Sequence, residues 1–152
     1  MGNRVYDFDG MLYKLQHNRL RFLGAGSSRK VFDIGDGYVV KVAKNYRGLN
    51  QNQMEYMIFD NENTKILTPV LAISEDNRFL IMKKGDRIRN FYPVLQYYEA
   101  RNMRELTSRP VFQMLTTKYM LAGGDLVRTS SWGIVNGVPM LIDYGFSHMK
   151  LN

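Results

Sequence analysis

A chain of 152 residues can bury one substantial core, and no repeat, low-complexity run or interdomain linker divides it. It has no cysteine, which excludes disulfides and thiolate metal sites, and its net charge of +7 suits an acidic partner, whether nucleotide or nucleic acid, as well as plain solubility. No apolar run approaches a membrane span and the N-terminal stretch lacks the pattern of a secretory signal, so a soluble cytoplasmic protein with no membrane partner is expected. Met1-Gly2 opens a myristoylation pattern, but Tyr6 stands where that pattern wants Ser or Thr.

Residues 1–18 are turn-rich, and Tyr6, Phe8, Met11, Leu12 and Leu15 give them apolar surface for a short strand or helix that docks on the strands after it. Alternation then predicts antiparallel strands at 19–23, 30–34 and 38–43, joined by a turn over 25–29 and by Gly35-Asp36-Gly37. The first turn lies in FLGAGSSRKVF, where Gly24 and Gly26 would let backbone N–H groups approach a phosphate beside the hydroxyls of Ser27 and Ser28. In the third strand Val39, Lys41 and Ala43 share one face while Val40, Val42 and Lys44 share the other, so both lysines cannot serve one site.

A helix is predicted over 50–61, with Met54, Met57 and Ile58 at helical spacing and Glu55 on an adjoining face. Strands at 70–74 and 79–82, turning through Glu75-Asp76-Asn77, complete a five-stranded sheet, and Met82-Lys83-Lys84-Gly85 reads as a connector. Helical patterns come next, over 91–107 and 110–121, the second opened by Pro110. Gly123-Gly124 ends it and delivers Asp125 to a loop. Ile134-Val135, Asn136-Gly137 and Met140-Leu141-Ile142 then read as a tight hairpin, whose exit carries Asp143-Tyr144-Gly145. That pairing would bring Asp125 and Asp143 to one end, and a carboxylate in this setting suits Mg²⁺.

In this order the elements resemble a protein kinase-like domain. Gly24, Gly26 and Val31 match the glycine-rich loop, with Arg29 at its third glycine; Lys41 matches the phosphate-contacting lysine, with Lys44 as competitor. Glu55 matches the lysine's ion-pair partner, with Glu62 as fallback. Asp125 and Asp143, 18 positions apart, match the catalytic and metal-binding aspartates. The resemblance covers roughly residues 19–146 and is nearest to reduced kinase-like proteins of bacteria and phages.

It implies an α+β fold in a single domain: a five-stranded antiparallel N-lobe sheet with one helix (about 1–82), a hinge (about 83–90) and a truncated helical C-lobe with a small β-hairpin (about 91–152). ATP and Mg²⁺ are the implied cofactors. Lys41, Glu55 and Asp125 are the implied catalytic residues; Gly24, Gly26, Ser27, Ser28, Val31, Lys41 and Met82 the nucleotide contacts; Asp143 and Ser130 the metal ligands. Met82 reads equally as a core methionine. Kinase catalytic domains reach about 250 residues, so the resemblance leads one to expect the helices that carry a peptide substrate to be absent or supplied by something else.

The departures bear on catalysis more than on fold. Gly123-Gly124 replaces the His-Arg before the catalytic aspartate, Ser130 or Ser131 replaces the metal-binding Asn, and Arg128 stands one residue from the loop lysine's place. The expected function is transfer of the γ-phosphoryl group of ATP to a hydroxyl, on a protein or a small molecule. The alternative is an inactive pseudokinase that binds a protein partner; the third reading is nucleic-acid binding through Arg101, Arg104, Arg109, Tyr97 and Tyr98. Tyr144, Phe146 and Met149 are expected to form an exposed apolar patch suited to a homodimer. His17 and His148 are expected at the surface, with no general-base or zinc role.

Overall fold

The computed structural model describes residues 6–147 and 149; Met1, Gly2 and His148 lie outside the described residues. A five-stranded antiparallel sheet of order β1-β2-β3-β5-β4 is built from β1 (Arg21–Ala25), β2 (Arg29–Gly35), β3 (Tyr38–Ala43), β4 (Val70–Ile73) and β5 (Phe79–Lys83). Its register pairs Val31 with Lys41 and Lys41 with Leu80. Cross-strand partners point to one face. One face therefore carries Val31, Val39, Lys41, Leu80 and Met82, and the other Phe32, Val40, Val42, Phe79 and Ile81.

Each face is covered by one helix. The N-terminal stretch, open between strand and helix in the sequence, is α1 (Phe8–Gln16), capped by the Asp7 side chain, which accepts from the Gly10 N–H at 2.9 Å. Phe8, Met11, Leu12 and Leu15 pack on the Phe32 face. The Lys41 face takes α2 (Tyr46–Glu62), whose Met54, Glu55 and Ile58 are buried. Asn45 caps α2, accepting from the Gly48 N–H at 3.1 Å and donating to the Ser27 carbonyl at 3.1 Å. Here a glycine is required, because a Cβ on Gly48 would collide with the Ser28 carbonyl oxygen and lie 2.9 Å from Ala43. Gly48→Ala should lower unfolding stability by about 1–3 kcal/mol, measured by urea denaturation, because backbone must move to admit the methyl.

The remaining chain is helical with a second, three-stranded sheet: β6 (Asp86–Arg87), α3 (Tyr92–Tyr98), α4 (Met103–Thr107), α5 (Pro110–Lys118), two 3-10 turns (Gly123–Val127 and Thr129–Ser131), β7 (Trp132–Val135) and β8 (Val138–Leu141). The hairpin turns where expected, Asn136 and Gly137 having φ of 50° and 81°. The long helix expected over 91–107 is instead two. Glu99 closes α3 with a left-handed φ of 54°, and Asn102 caps α4, accepting from the Glu105 N–H at 2.8 Å, while the Glu105 carboxylate reaches back past the cap to accept from the Arg101 N–H at 3.3 Å. The last helix ends at Lys118, earlier than expected, and Met120 takes a φ of 55°.

One hydrophobic core runs through both parts, from Val39 and Met54 to Phe112, Leu115 and Trp132. The expected patch at the chain's end is not exposed. Tyr144 is 2% exposed and donates its hydroxyl to the Thr68 carbonyl at 2.8 Å, while Phe146 is half-buried and Met149 packs on the core. The segment around Tyr144 and Gly145 packs against α2, which removes the surface that motivated a homodimer. Among the described residues no helix is long and apolar enough to cross a membrane.

Candidate functional site

Three elements converge below the sheet: the start of β2, the middle of β3 and one side of α2, with the segment after β8 closing the group. Lys41 points from β3 toward α2 and donates to Glu55 Oε1 at 2.7 Å and to the Ile142 carbonyl at 2.5 Å. Glu55, which is fully buried, also accepts both Arg29 Nη atoms, at 2.8 and 3.0 Å, and the Tyr144 N–H at 3.0 Å. Arg29 Nη2 reaches Asp143 Oδ1 at 2.8 Å, and Nη1 reaches Asn52 Oδ1 at 3.1 Å. Asn52 in turn donates to the carbonyls of Asn77 and Arg78 at 2.9 and 3.1 Å, which ties the cluster to the turn before β5.

The parity of β3 decides between the lysines. Lys44 is exposed and donates to the Gly26 carbonyl at 3.0 Å, away from Glu55. Glu62 is likewise elsewhere, bonded to Lys118 Nζ at 2.7 Å and to the Tyr119 hydroxyl at 2.5 Å, where it fastens α2 to α5. Asn52 is a site residue that sequence reasoning passed over, and Arg29 was noted only as the residue at the third glycine position, without its carboxylate partners. Both were open to the same periodicity: Arg29 lies two positions before Val31 on one strand, and Asn52 three before Glu55 on one helix.

The other expected site residues are more scattered. Gly24 lies within β1, opposite Val31 where the register shifts, and Gly26 opens the turn, with its N–H bonded to the Arg29 carbonyl at 2.9 Å; Ser27 is exposed but Ser28 is buried. Val31 packs on the inner face. Met82 is 1% exposed, and its side chain sits in the core as its reading as a core methionine expects, between its strand neighbours Val39 and Val70. The segment before Asp125 does lie along the segment after Asp143, through a Leu121–Ser147 bridge and the Ala122 N–H on the Phe146 carbonyl at 3.2 Å. The two aspartates nevertheless enter separate ion pairs, Asp125 with Arg128 at 3.5 Å and Asp143 with Arg29. Ser130 is exposed.

Burial and pairing set the electrostatics. Burial works against the Glu55 charge, but Arg29 and Lys41 outweigh it and hold the carboxyl down at about 2. Burial pushes Asp143 up to about 6, against the pull of Lys41 and Arg29 and with Glu55 adding to the rise. Burial also lowers Lys41, opposed by Glu55, whereas Arg29 is raised because its two carboxylates overcome its burial.

The carboxylates therefore bend stability in opposite senses. Glu55, whose folded value lies below its ordinary 4.5, contributes stability present above that pH and lost as pH falls through about 2. Asp143, whose folded value lies above its ordinary 3.8, contributes stability present below that pH and lost as pH rises through about 6. The stability difference between wild type and Asp143→Asn, measured in urea at stepped pH, should thus move against the wild type between about pH 4 and 6. A difference that stays constant across that interval would contradict this.

A divalent cation is what the resemblance implies at Asp143, and the residues do not fit one. Oδ1 already faces a guanidinium fixed by Glu55 and Asn52. That guanidinium already balances the carboxylate's charge, so a doubly charged ion on the same group would meet a fixed cation beside it. All oxygens of Glu55 are occupied, and among the described residues no group of three His, Cys, Asp or Glu side chains is placed to hold a metal.

No family model matches the sequence, and no curated protein matches it. Solved structures do. The chain is similar to the gentamicin complex of APH(2'')-IIa over 95% of its own length and 71% of that chain, at 20% identity and a TM-score of 0.48. It is similar to the ADP-bound aminoglycoside phosphotransferase APH(2'')-Ib over 90% and 70%, at 20% identity and a TM-score of 0.48. A match to the streptomycin–ATP complex of APH(2'')-IIa, at 27% identity and a TM-score of 0.40, covers 55% of this chain and spans only 31% of that one.

Proposed function

We propose that this chain is a reduced kinase-like protein that binds ATP and transfers its γ-phosphoryl group to an acceptor hydroxyl. The observation that carries this is the buried Lys41–Glu55 pair at 2.7 Å, formed between the middle strand and the helix that packs beneath it, on the sheet face shared with Val31. Such a pair holds a lysine ammonium toward phosphate oxygens in kinase sites. Two of the three Lys41 donors are accounted for, which leaves one for a phosphate. In the transfer the acceptor oxygen bonds the γ-phosphorus, the bond to the β-phosphate bridging oxygen breaks, ADP leaves, and Asp125 takes the hydroxyl proton.

The test is a thermal-shift titration with ATP beside an assay of ADP release. ATP should stabilise wild type and Asp125→Asn alike, should not stabilise Lys41→Met, and should yield ADP with wild type alone. Absence of any shift at millimolar ATP would remove the nucleotide reading.

A second reading, a kinase-shaped protein that binds a partner without turnover, is favoured by the Arg29–Asp143 ion pair, which neutralises the aspartate that kinases leave for a metal. It requires ATP binding, or a specific complex, without ADP release. In the α3–α5 region two of the arginines have partners of their own. Arg101 pairs with Glu105 at 3.4 Å, and Arg109 is engaged by the carbonyls of Tyr98 and Glu99 at 2.8 and 3.4 Å.

A further inference from the structure

We propose that the Arg29 guanidinium is the resident cation of this site, standing on Asp143 in place of a divalent metal, so that nucleotide phosphates are taken without Mg²⁺. The second half of this rests on the nucleotide reading above; the first does not.

Arg29 occupies the position where the glycine-loop pattern would have its third glycine, and a side chain there changes what the strand can deliver. It begins β2 opposite Ala43, on the face of Val31 and Lys41, so the side chain extends beneath the sheet instead of over the loop. It is 6% exposed and its fork is fully specified: Glu55 takes both Nη atoms, Asn52 takes Nη1 and Asp143 takes Nη2. A planar guanidinium can satisfy three acceptors in this way; an ammonium, a point donor, cannot reproduce the two-pronged contact with Glu55.

The charges close without a metal. Arg29 and Lys41 supply two positive charges, Glu55 and Asp143 two negative ones, and the four are linked by ion pairs of 2.7–2.8 Å. Asp143 retains about 29% side-chain exposure, so the cluster still has one face on the surface, and Arg29 lies behind it. A cation held by three protein acceptors is not exchanged with solvent as a hydrated metal ion is. Arg29 also bonds Asp143 and Glu55 simultaneously, which positions the segment after β8 against α2 whether or not nucleotide is present.

The test uses the full chain and Mn²⁺ alone as the metal probe, read by water-proton relaxation, together with ATP thermal shifts in EDTA and in Mg²⁺. Wild type should not bind Mn²⁺ at a site that Asp143→Asn removes, and ATP should stabilise it equally in both buffers. Arg29→Gln should bind Mn²⁺ tighter than wild type by roughly tenfold to a hundredfold, lose that gain when combined with Asp143→Asn, and need Mg²⁺ for its ATP shift. The wild-type arms stand even if Arg29→Gln does not fold. Mn²⁺ binding to wild type through Asp143, or an ATP shift of wild type abolished by EDTA, overturns the proposal. ATP failing to stabilise the protein in either buffer overturns the nucleotide reading and the metal-free binding built on it; the Mn²⁺ comparison, which involves no nucleotide, then decides the role of Arg29 by itself.

Discussion

Glu55→Ala should cost about 3–5 kcal/mol of unfolding stability, the loss expected when one member of a buried ion cluster is removed and its partners stay behind. Glu55 is fully buried and accepts four hydrogen bonds, two from Arg29, one from Lys41 and one from the Tyr144 backbone. Without it two cations remain below the sheet with only Asp143 to balance them, and the Tyr144 N–H loses its acceptor. Glu55→Gln separates charge from shape: the amide keeps the volume and one acceptor oxygen, so it should cost less than Ala but remain destabilising. Urea denaturation would show a lower midpoint at unchanged slope. A loss below about 1 kcal/mol for Glu55→Ala would mean that in solution the cluster is hydrated and open.

Trp132→Ala should be comparably damaging, at about 3–5 kcal/mol. Trp132 is fully buried, with its ring 6.0 Å from that of Phe112 and 6.3 Å from that of Tyr98. Its Nε1 donates to the Leu126 carbonyl at 2.8 Å, so one side chain both fills the core of the helical part and fastens the turn that carries Asp125. Trp132→Phe keeps much of the ring contact and removes that bond. It should cost less than Ala, and hydrogen exchange at residues 124–128 should quicken more than exchange in β3. Equal exchange changes in both places would mean that the bond does not hold the Asp125 turn.

Local pattern settled much of this protein. Alternation in Tyr38–Ala43 placed Lys41 and Lys44 on opposite faces, and that parity chose Lys41; Asn136-Gly137 set the hairpin because its positive φ values suit that pair; Met54 and Ile58 set the buried side of α2 and with it Glu55. The break between α3 and α4 was also legible in Asn102 and Glu105, a cap that helical periodicity alone overlooks. What no local pattern could fix was the partnership of distant charges. Arg29 meets Asp143 across 114 positions, and Tyr144 meets Thr68 across 76, because α2 and the segment after β8 pack against the same sheet face. Periodicity assigns a residue to a face; only the closing of elements over that face decides which carboxylate a buried cation finds. Burial then makes that choice binding, since a buried charge left without its partner bears the cost of desolvation uncompensated.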